Sequence, residues 1–261
     1  MDLDLTGRHA LVCGASAGIG RAAAHELALL GAEVTVLARG QDALDAVAAS
    51  LPRTARQQHR TLAADASRRE ELRARVDALA AEVPIHILVN NTGGPPGGPA
   101  FTADEAAFLD AFGKHLLANH ALAQAVVPGM RAAGWGRIVN VVSTSVYEPI
   151  AGLGVSNTIR GAVASWAKTL SRELAADGIT VNNVLPGYTD TTRIEQILGD
   201  RTAATGKTRE EVIAAMLASV PAGRFSKPEE TGGVIAFLCS PAAGYVNGVS
   251  LAVDGGRMNS I

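Results

Sequence analysis

The stretch His9-Ala-Leu-Val-Cys-Gly-Ala-Ser-Ala-Gly-Ile-Gly20 decides the fold. Its first five residues are an apolar run of strand length, and a helical pattern from Ile19 to Leu30 follows the glycines directly. Glycines at 14, 18 and 20 make the spacing G-x-x-x-G-x-G. A strand, a glycine turn and a helix in that order leave backbone N–H groups free at the helix N-terminus. That is a place for a pyrophosphate, because the first turn has no internal partners for its donors. Ser16 and Ile19 lie in the same loop and are expected beside the phosphates. Gly31 ends the helix as a C′ glycine.

The same alternation continues along the chain. Strands are predicted at Glu33–Ala38, Arg60–Ala64, Ile85–Asn90, Arg137–Val142, Ile179–Leu185 and Val249–Val253. Helices are predicted at Gln41–Ser50, Arg68–Glu82, Glu105–Arg131 and Val155–Ala176, the last with Ile159, Val163, Trp166 and Leu170 on one stripe. Continuous apolar strands alternating with helices predict an α/β fold, a Rossmann-type doubly wound parallel sheet of about seven strands with helices on both faces. Ligands of such sheets bind at the carboxyl ends of the strands. One domain over 1–261 is expected, since no linker, repeat or low-complexity tract interrupts the pattern.

Composition narrows the class. Of the 261 residues 48% are apolar and 18% charged, ample for a core, and with 4% aromatic that core rests on Ala, Val, Leu and Ile. The formal charge of −2 gives no basic footprint, so nucleic acid is not an expected partner. No apolar stretch approaches the roughly 18 residues of a membrane span. Met1-Asp2-Leu3-Asp4 lacks the basic region of a secretion signal, which makes the cytoplasm the expected compartment. Cys13 and Cys239 read as reduced core thiols, and two cysteines so placed do not make a metal site.

At the end of the second strand a dinucleotide site needs a group facing the adenosine ribose. An acid there repels a 2′-phosphate, whereas this chain has Arg39, which pairs with one. NADP(H) is therefore expected over NAD(H). Asp42 comes too late and reads as support for the next helix N-terminus.

Glycines 14, 18 and 20, Asp65, Asn90-Asn91-Thr92-Gly93, Ser143, Pro186-Gly187 and Val253-Asp254-Gly255-Gly256 together resemble the short-chain dehydrogenase/reductases. The likeness spans essentially the whole chain in the right order and is nearest to 3-oxoacyl-acyl-carrier-protein reductases. It implies that Asp65 and Ala66 meet the adenine. It further implies that Asn91 and Gly93 line the cofactor cleft and that Pro186, Gly187, Thr189 and Thr191 meet the nicotinamide end. It also implies a homo-oligomer, a tetramer before a dimer, paired through the two long helices and the last strand. The partner is then a small-molecule substrate.

The family's reacting set is Asn, Ser, Tyr and Lys, with the last two spaced Tyr-x-x-x-Lys. Here Tyr147, Tyr188 and Tyr245 are followed four residues later by Ala151, Thr192 and Val249. The segment Arg160-Gly-Ala-Val-Ala-Ser-Trp-Ala-Lys-Thr-Leu-Ser-Arg-Glu-Leu174 resembles the family's run after its lysine. Counting back puts Arg160 at the lysine position and Ser156 at the tyrosine position, with Ser143 thirteen residues earlier as expected. His115 falls at the asparagine position, counted from Pro128. Arginine keeps a charge but does not shuttle protons, and a serine hydroxyl is far less acidic than a phenol of pKa about 10.

The set His115, Ser143, Ser156 and Arg160 thus predicts an NADP(H)-dependent oxidoreductase of carbonyl or alcohol substrates with a non-standard proton donor. Tyr147 on the loop rim, His115 and Tyr188 are the candidates for that donor. A nucleotide-binding protein without turnover, or an isomerase or lyase on the same fold, is left open by the missing pair. The segment 192–221 is long, carries Gly199 and Gly206 as breakers and a helix near Arg209–Ser219, and is expected to act as a substrate lid.

Overall fold

In the computed structural model, which describes residues 1–54 and 56–260, seven parallel strands form one sheet in the order β3-β2-β1-β4-β5-β6-β7. The strands are β1 (His9–Cys13), β2 (Glu33–Ala38), β3 (Arg60–Ala63), β4 (Ile87–Asn90), β5 (Gly136–Val141), β6 (Ile179–Pro186) and β7 (Ser250–Val253). The order reverses between β1 and β4, which makes the space above their carboxyl ends the natural ligand crevice.

The pleat of β1 sorts its side chains to two cores. Ala10 and Val12 join one apolar cluster and Leu11 and Cys13 the other, as a period of two requires. Helices α1 (Gly18–Leu29), α2 (Gln41–Ser50) and α9 (Pro228–Cys239) contribute to the first cluster, and α3 (Arg69–Glu82) contributes to the second. So do α5 (Ala118–Ala133) and α6 (Gly154–Glu173). Leu11, Leu88 and Ile138 are fully buried, and burying each such side chain stabilises by about 1.5–3 kcal/mol. Gly31, at φ +95°, ends α1 as expected, with its N–H on the Ala28 carbonyl.

Across the carboxyl half of the sheet runs a ladder of side-chain amides. Asn90 Nδ2 donates to Asn140 Oδ1 at 2.9 Å, and Asn140 Nδ2 donates to Asn183 Oδ1 at 3.0 Å. Asn183 Nδ2 donates to Ser250 Oγ at 3.0 Å, so the chain of bonds links β4 to β7 through directly paired positions.

The structure corrects three expectations. The helix expected over Glu105–Arg131 is three pieces: α4 (Glu105–Phe112), a π-helical turn over Gly113–Leu117, then α5. Gly199 breaks nothing, since it sits inside α7 (Thr192–Thr205), and Gly206 ends that helix at φ +68°. The next helix, α8 (Arg209–Leu217), starts from a capping box of Thr208 and Glu211. Strand β4 begins at Ile87 rather than Ile85, although the His86 N–H already donates to the His9 carbonyl and its carbonyl accepts from Arg137. Among the described residues no helix is long and apolar enough to cross a membrane.

Candidate active site

A cavity of about 1630 Å³ opens above the carboxyl ends of the strands. Its first wall is the glycine loop. Gly14 and Gly18 adopt φ of +59° and +56°, and a Cβ on Gly14 would stand 2.5 Å from the Asn91 carbonyl oxygen. Only glycine fits there. Asn91 Nδ2 in turn donates to the carbonyls of Cys13 and Gly14, so Asn91 holds the loop as well as lining the cavity. Gly20 packs against the Gly14 backbone, outside the cavity wall. Ala17 offers α1 no side-chain cap, and its first turn has no acid, so its N–H groups are free for an anion. Ser16, Gly18 and Ile19 line this end.

Arg39, exposed after β2, and Asp65, after β3, form the adenosine end. Asp65 Oδ1 accepts the Ser67 N–H at 2.9 Å, and that bond, with help from Arg39, holds its carboxyl below the usual range. Ala66 and Gly93 also face the cavity. From the far side, Thr191 caps α7 with Oγ1, and its methyl lies 3.1 Å from where a Cβ on Gly18 would stand. The loop after β6 thus closes over the glycine turn. Pro186, Gly187 and Thr189 line the same side, with Gly187 N–H bonded to the Val253 carbonyl and Thr189 Oγ1 accepting from Ser226.

Four of the five expected catalytic residues meet on this cavity. Ser143 ends the loop after β5, and its Oγ accepts the Ser145 N–H at 3.1 Å, which leaves its own proton to donate. Ser156 is buried on the first turn of α6 and faces the cavity. One turn later Arg160 donates from Nη1 to the Val141 carbonyl at 2.9 Å. Burial, then the charge of Arg193, brings its guanidinium down to about 10, so it stays a cation at neutral pH.

His115 is buried on the π-helical turn, with Nδ1 2.6 Å from Thr92 Oγ1. A π-turn inserts a residue into the helix and turns side chains that would otherwise point elsewhere. Burial, then Arg160, pushes the imidazole down to about 3. It is neutral at physiological pH, which corrects the expectation of an acid–base group titrating near 6.5. Tyr147 is the other correction. The 3-10 turn Thr144–Val146 carries it out of the cleft, where it is 54% exposed and no part of the cavity wall. Both cysteines are buried and free, each thiol pushed up to about 12 by desolvation, so neither is a nucleophile.

Several residues here were not expected from the sequence. Arg193 and Arg201 line the cavity from one stripe of α7, at i and i+8, a spacing that a helix break at Gly199 would not produce. Arg257 reaches the cavity from the C-terminal tail, where Asp254 accepts the N–H groups of Gly256 and Met258. Glu148 then accepts those of Asn259 and Ser260, both at 2.7 Å. The Val253-Asp254-Gly255-Gly256 motif lies just before it, but no sequence signal singles out Arg257 itself.

A doubly wound sheet with a free helix N-terminus and a serine-lined cleft at its switch point defines a dinucleotide-binding enzyme. The sequence model described as enoyl-(acyl carrier protein) reductase matches residues 14–258. The 3-oxoacyl-[acyl-carrier-protein] reductase FabG of Vibrio harveyi is 33% identical over 257 residues, 97% of this chain and 98% of that protein. Among solved structures, L-sorbose reductase of Gluconobacter frateurii, complexed with NADPH and L-sorbose, superposes with a TM-score of 0.92 at 30% identity, covering 100% of both chains. A 3-oxoacyl (acyl-carrier-protein) reductase of Agrobacterium tumefaciens with NADP bound gives 0.86 at 27% identity, covering 97% of this chain and 95% of that one. The chain belongs to the short-chain dehydrogenase/reductase family. It is an NAD(P)-dependent oxidoreductase acting on carbonyl or alcohol substrates.

Proposed function

We propose that the protein is an NADP(H)-dependent carbonyl reductase or alcohol dehydrogenase whose proton does not come from a tyrosine. One observation carries the reading: Ser143, Ser156, Arg160 and His115 share a single cavity with the uncapped α1 N-terminus. The residues present fit the cofactor, since the glycine turn packs too tightly for a Cβ and opens directly onto the uncapped, acid-free N-terminus of α1. Gly14, Ser16, Gly18 and Ile19 hold the phosphates, Arg39 the 2′-phosphate, Asp65 and Ala66 the adenine. Asn91, Gly93, Arg160, Pro186, Gly187, Thr189 and Thr191 hold the nicotinamide half. When bound, the nicotinamide supplies or accepts the hydride.

The chain's own groups then manage the oxygen. Ser143 and Ser156 donate hydrogen bonds to the substrate carbonyl, and the fixed charge of Arg160 stabilises the alkoxide as it forms. Water in the open cleft supplies the proton, and neutral His115, held by Thr92, orients that water. Because a general acid is worth about 10²–10⁴-fold, this arrangement works more slowly than the usual set. Helices α7 and α8 serve as the lid over 192–221 on the single domain 1–261, and the assembly is a homotetramer formed through the α4–α5 and α6 helices and β7.

NADPH fluorescence titration followed by NADPH oxidation with a panel of ketones and aldehydes tests this. The double variant Ser156→Tyr/Arg160→Lys restores the usual pair and should raise kcat by about 10²–10⁴-fold. Absence of NADPH binding, or tight binding without oxidation by any carbonyl, refutes the proposal.

A further inference from the structure

The substrate half of the cavity holds more positive charge than hydride transfer needs. Arg160 and Arg193 meet over the loop after β4: their Nη2 atoms lie 3.6 and 3.3 Å from the point where a Cβ on Gly94 would stand. Arg193 also donates to the Pro95 carbonyl at 3.0 Å. Two more guanidinium groups lie beside one phenol ring, that of Tyr188. Arg257 Cζ lies 4.7 Å and Arg201 Cζ 5.8 Å from the Tyr188 centroid.

Among the described residues none of these four arginines has a carboxylate within 4.0 Å, and all four line the one cavity. Asp110 is taken by Lys114, and Asp200 faces Gly97. Arg257 Nε is buried without a hydrogen-bond partner, although Nη1 donates to Thr144 Oγ1 at 3.1 Å. Arg193 bears directly on the charge of Arg160, and like charges held close repel unless an anion joins them.

We propose that Arg201 and Arg257, on either side of the lid–tail junction at Tyr188, are a subsite for an oxyanion on the substrate, so that the compound reduced is an oxo acid rather than a neutral ketone. The inference rests on the oxidoreductase reading above and names its substrate class. Thr144, which holds Arg257, follows Ser143 directly, so the anion site adjoins the reacting position. A guanidinium fork matches a carboxylate in two parallel hydrogen bonds. Arg201 belongs to α7 and Arg257 to the tail pinned by Glu148, so a bound carboxylate ties the lid to the floor of the site. A phosphate of the dinucleotide offers the same chemistry. Its own needs are met at the other end of the cleft, by the α1 N-terminus and Arg39.

The test uses the full chain with NADP⁺ bound. Calorimetric titration compares 4-oxopentanoate and 5-oxohexanoate with their methyl esters, on the native protein, Arg257→Met and Arg201→Met. NADPH affinity is measured by fluorescence on the same three proteins. The acids should bind at least about 10-fold more tightly than the esters. Either arginine variant should erase most of that ratio and leave the NADPH dissociation constant within about two-fold. Two variants on separate elements guard against one that fails to fold. Equal binding of acid and ester, binding of neither, or an acid preference that survives both substitutions overturns the proposal. A parallel loss of NADPH affinity assigns the arginines to the cofactor and overturns it too. Acid binding to the NADP⁺ complex, with no NADPH oxidation when the same acids are added to the NADPH-loaded protein, refutes the carbonyl-reduction reading while the subsite stands.

Discussion

Gly14→Ala tests whether the glycine loop is the working part of the site. At φ +59° an alanine carries a strain of about 1–2 kcal/mol. Its Cβ would stand 2.5 Å from the Asn91 carbonyl oxygen and 2.7 Å from Asn91 Nδ2. The first of these is backbone, so the loop and the end of β4 have to part. That movement breaks the two hydrogen bonds from Asn91 to Cys13 and Gly14, each worth about 0.5–1.5 kcal/mol. Together the terms reach about 2–5 kcal/mol, or roughly a 30- to 5,000-fold loss of dinucleotide affinity if the displaced loop is the phosphate cradle. Fluorescence titration with NADPH reads the loss, and a thermal melt reads the share that falls on folding. Gly233→Ala in α9, where a Cβ meets open space, is the control: it should leave NADPH affinity unchanged and raise the melt slightly, since alanine favours a helix interior over glycine by about 0.5–1 kcal/mol. An NADPH affinity within three-fold of native in folded Gly14→Ala would refute the assignment of the loop.

Arg39→Leu should weaken NADPH by about 10- to 100-fold and leave NADH nearly unchanged, by loss of a charge-assisted contact to the 2′-phosphate. Equal effects on both cofactors, read by titration, would remove Arg39 from that role. Asn140→Leu strands Asn90 Nδ2 and Asn183 Oδ1 in the buried ladder and should destabilise the fold by about 2–4 kcal/mol in urea denaturation. A change under 0.5 kcal/mol would show the ladder to be idle. Burial, then Arg60, lowers His9 to about 4, so it stays neutral in the fold but charges near 6.5 once unfolded. Its stabilising effect is therefore full above pH 6.5 and is lost as pH falls towards 4, by about 3 kcal/mol in all. His9→Gln should flatten the urea-stability profile between pH 6.5 and 4.5, and parallel profiles would contradict the assignment.

The cofactor half of the site was legible because its requirements are local. A φ near +60° at Gly14 and a free helix start at Gly18 are written in adjacent residues, and the strand–loop–helix order places them at a carboxyl end. The frame that put Ser156 and Arg160 on the cavity was equally readable, since both lie on one face of one helix. What escaped was non-local. Arg257 belongs to the site because Asp254 turns the tail and Glu148 receives its end, more than a hundred residues away in sequence. The Asn90–Asn140–Asn183 ladder depends on strand register, which periodicity alone does not provide. Gly199 misled because an isolated glycine weakens a helix by about 1 kcal/mol without ending it, and the buried Ile194 and Leu198 hold α7 in place.

The surroundings of His115 bear on the proposed arrangement of the reacting end. An imidazole buried this deeply needs a hydrogen-bond partner, and Thr92 provides it at 2.6 Å from within Asn90-Asn91-Thr92-Gly93. Neutral His115 in turn adds no second full charge beside Arg160, whose own cation already lowers it. Arg160 spends one donor on the Val141 carbonyl, which fixes its guanidinium against the end of β5 and leaves the rest of its fork to the cavity. A shorter Ser156 one turn earlier keeps that cavity open in front of the fork. On the proposed reading the exchanges are matched: a fixed cation, an open space before it and a neutral, anchored imidazole suit stabilisation of a negative oxygen more than donation of a proton to it.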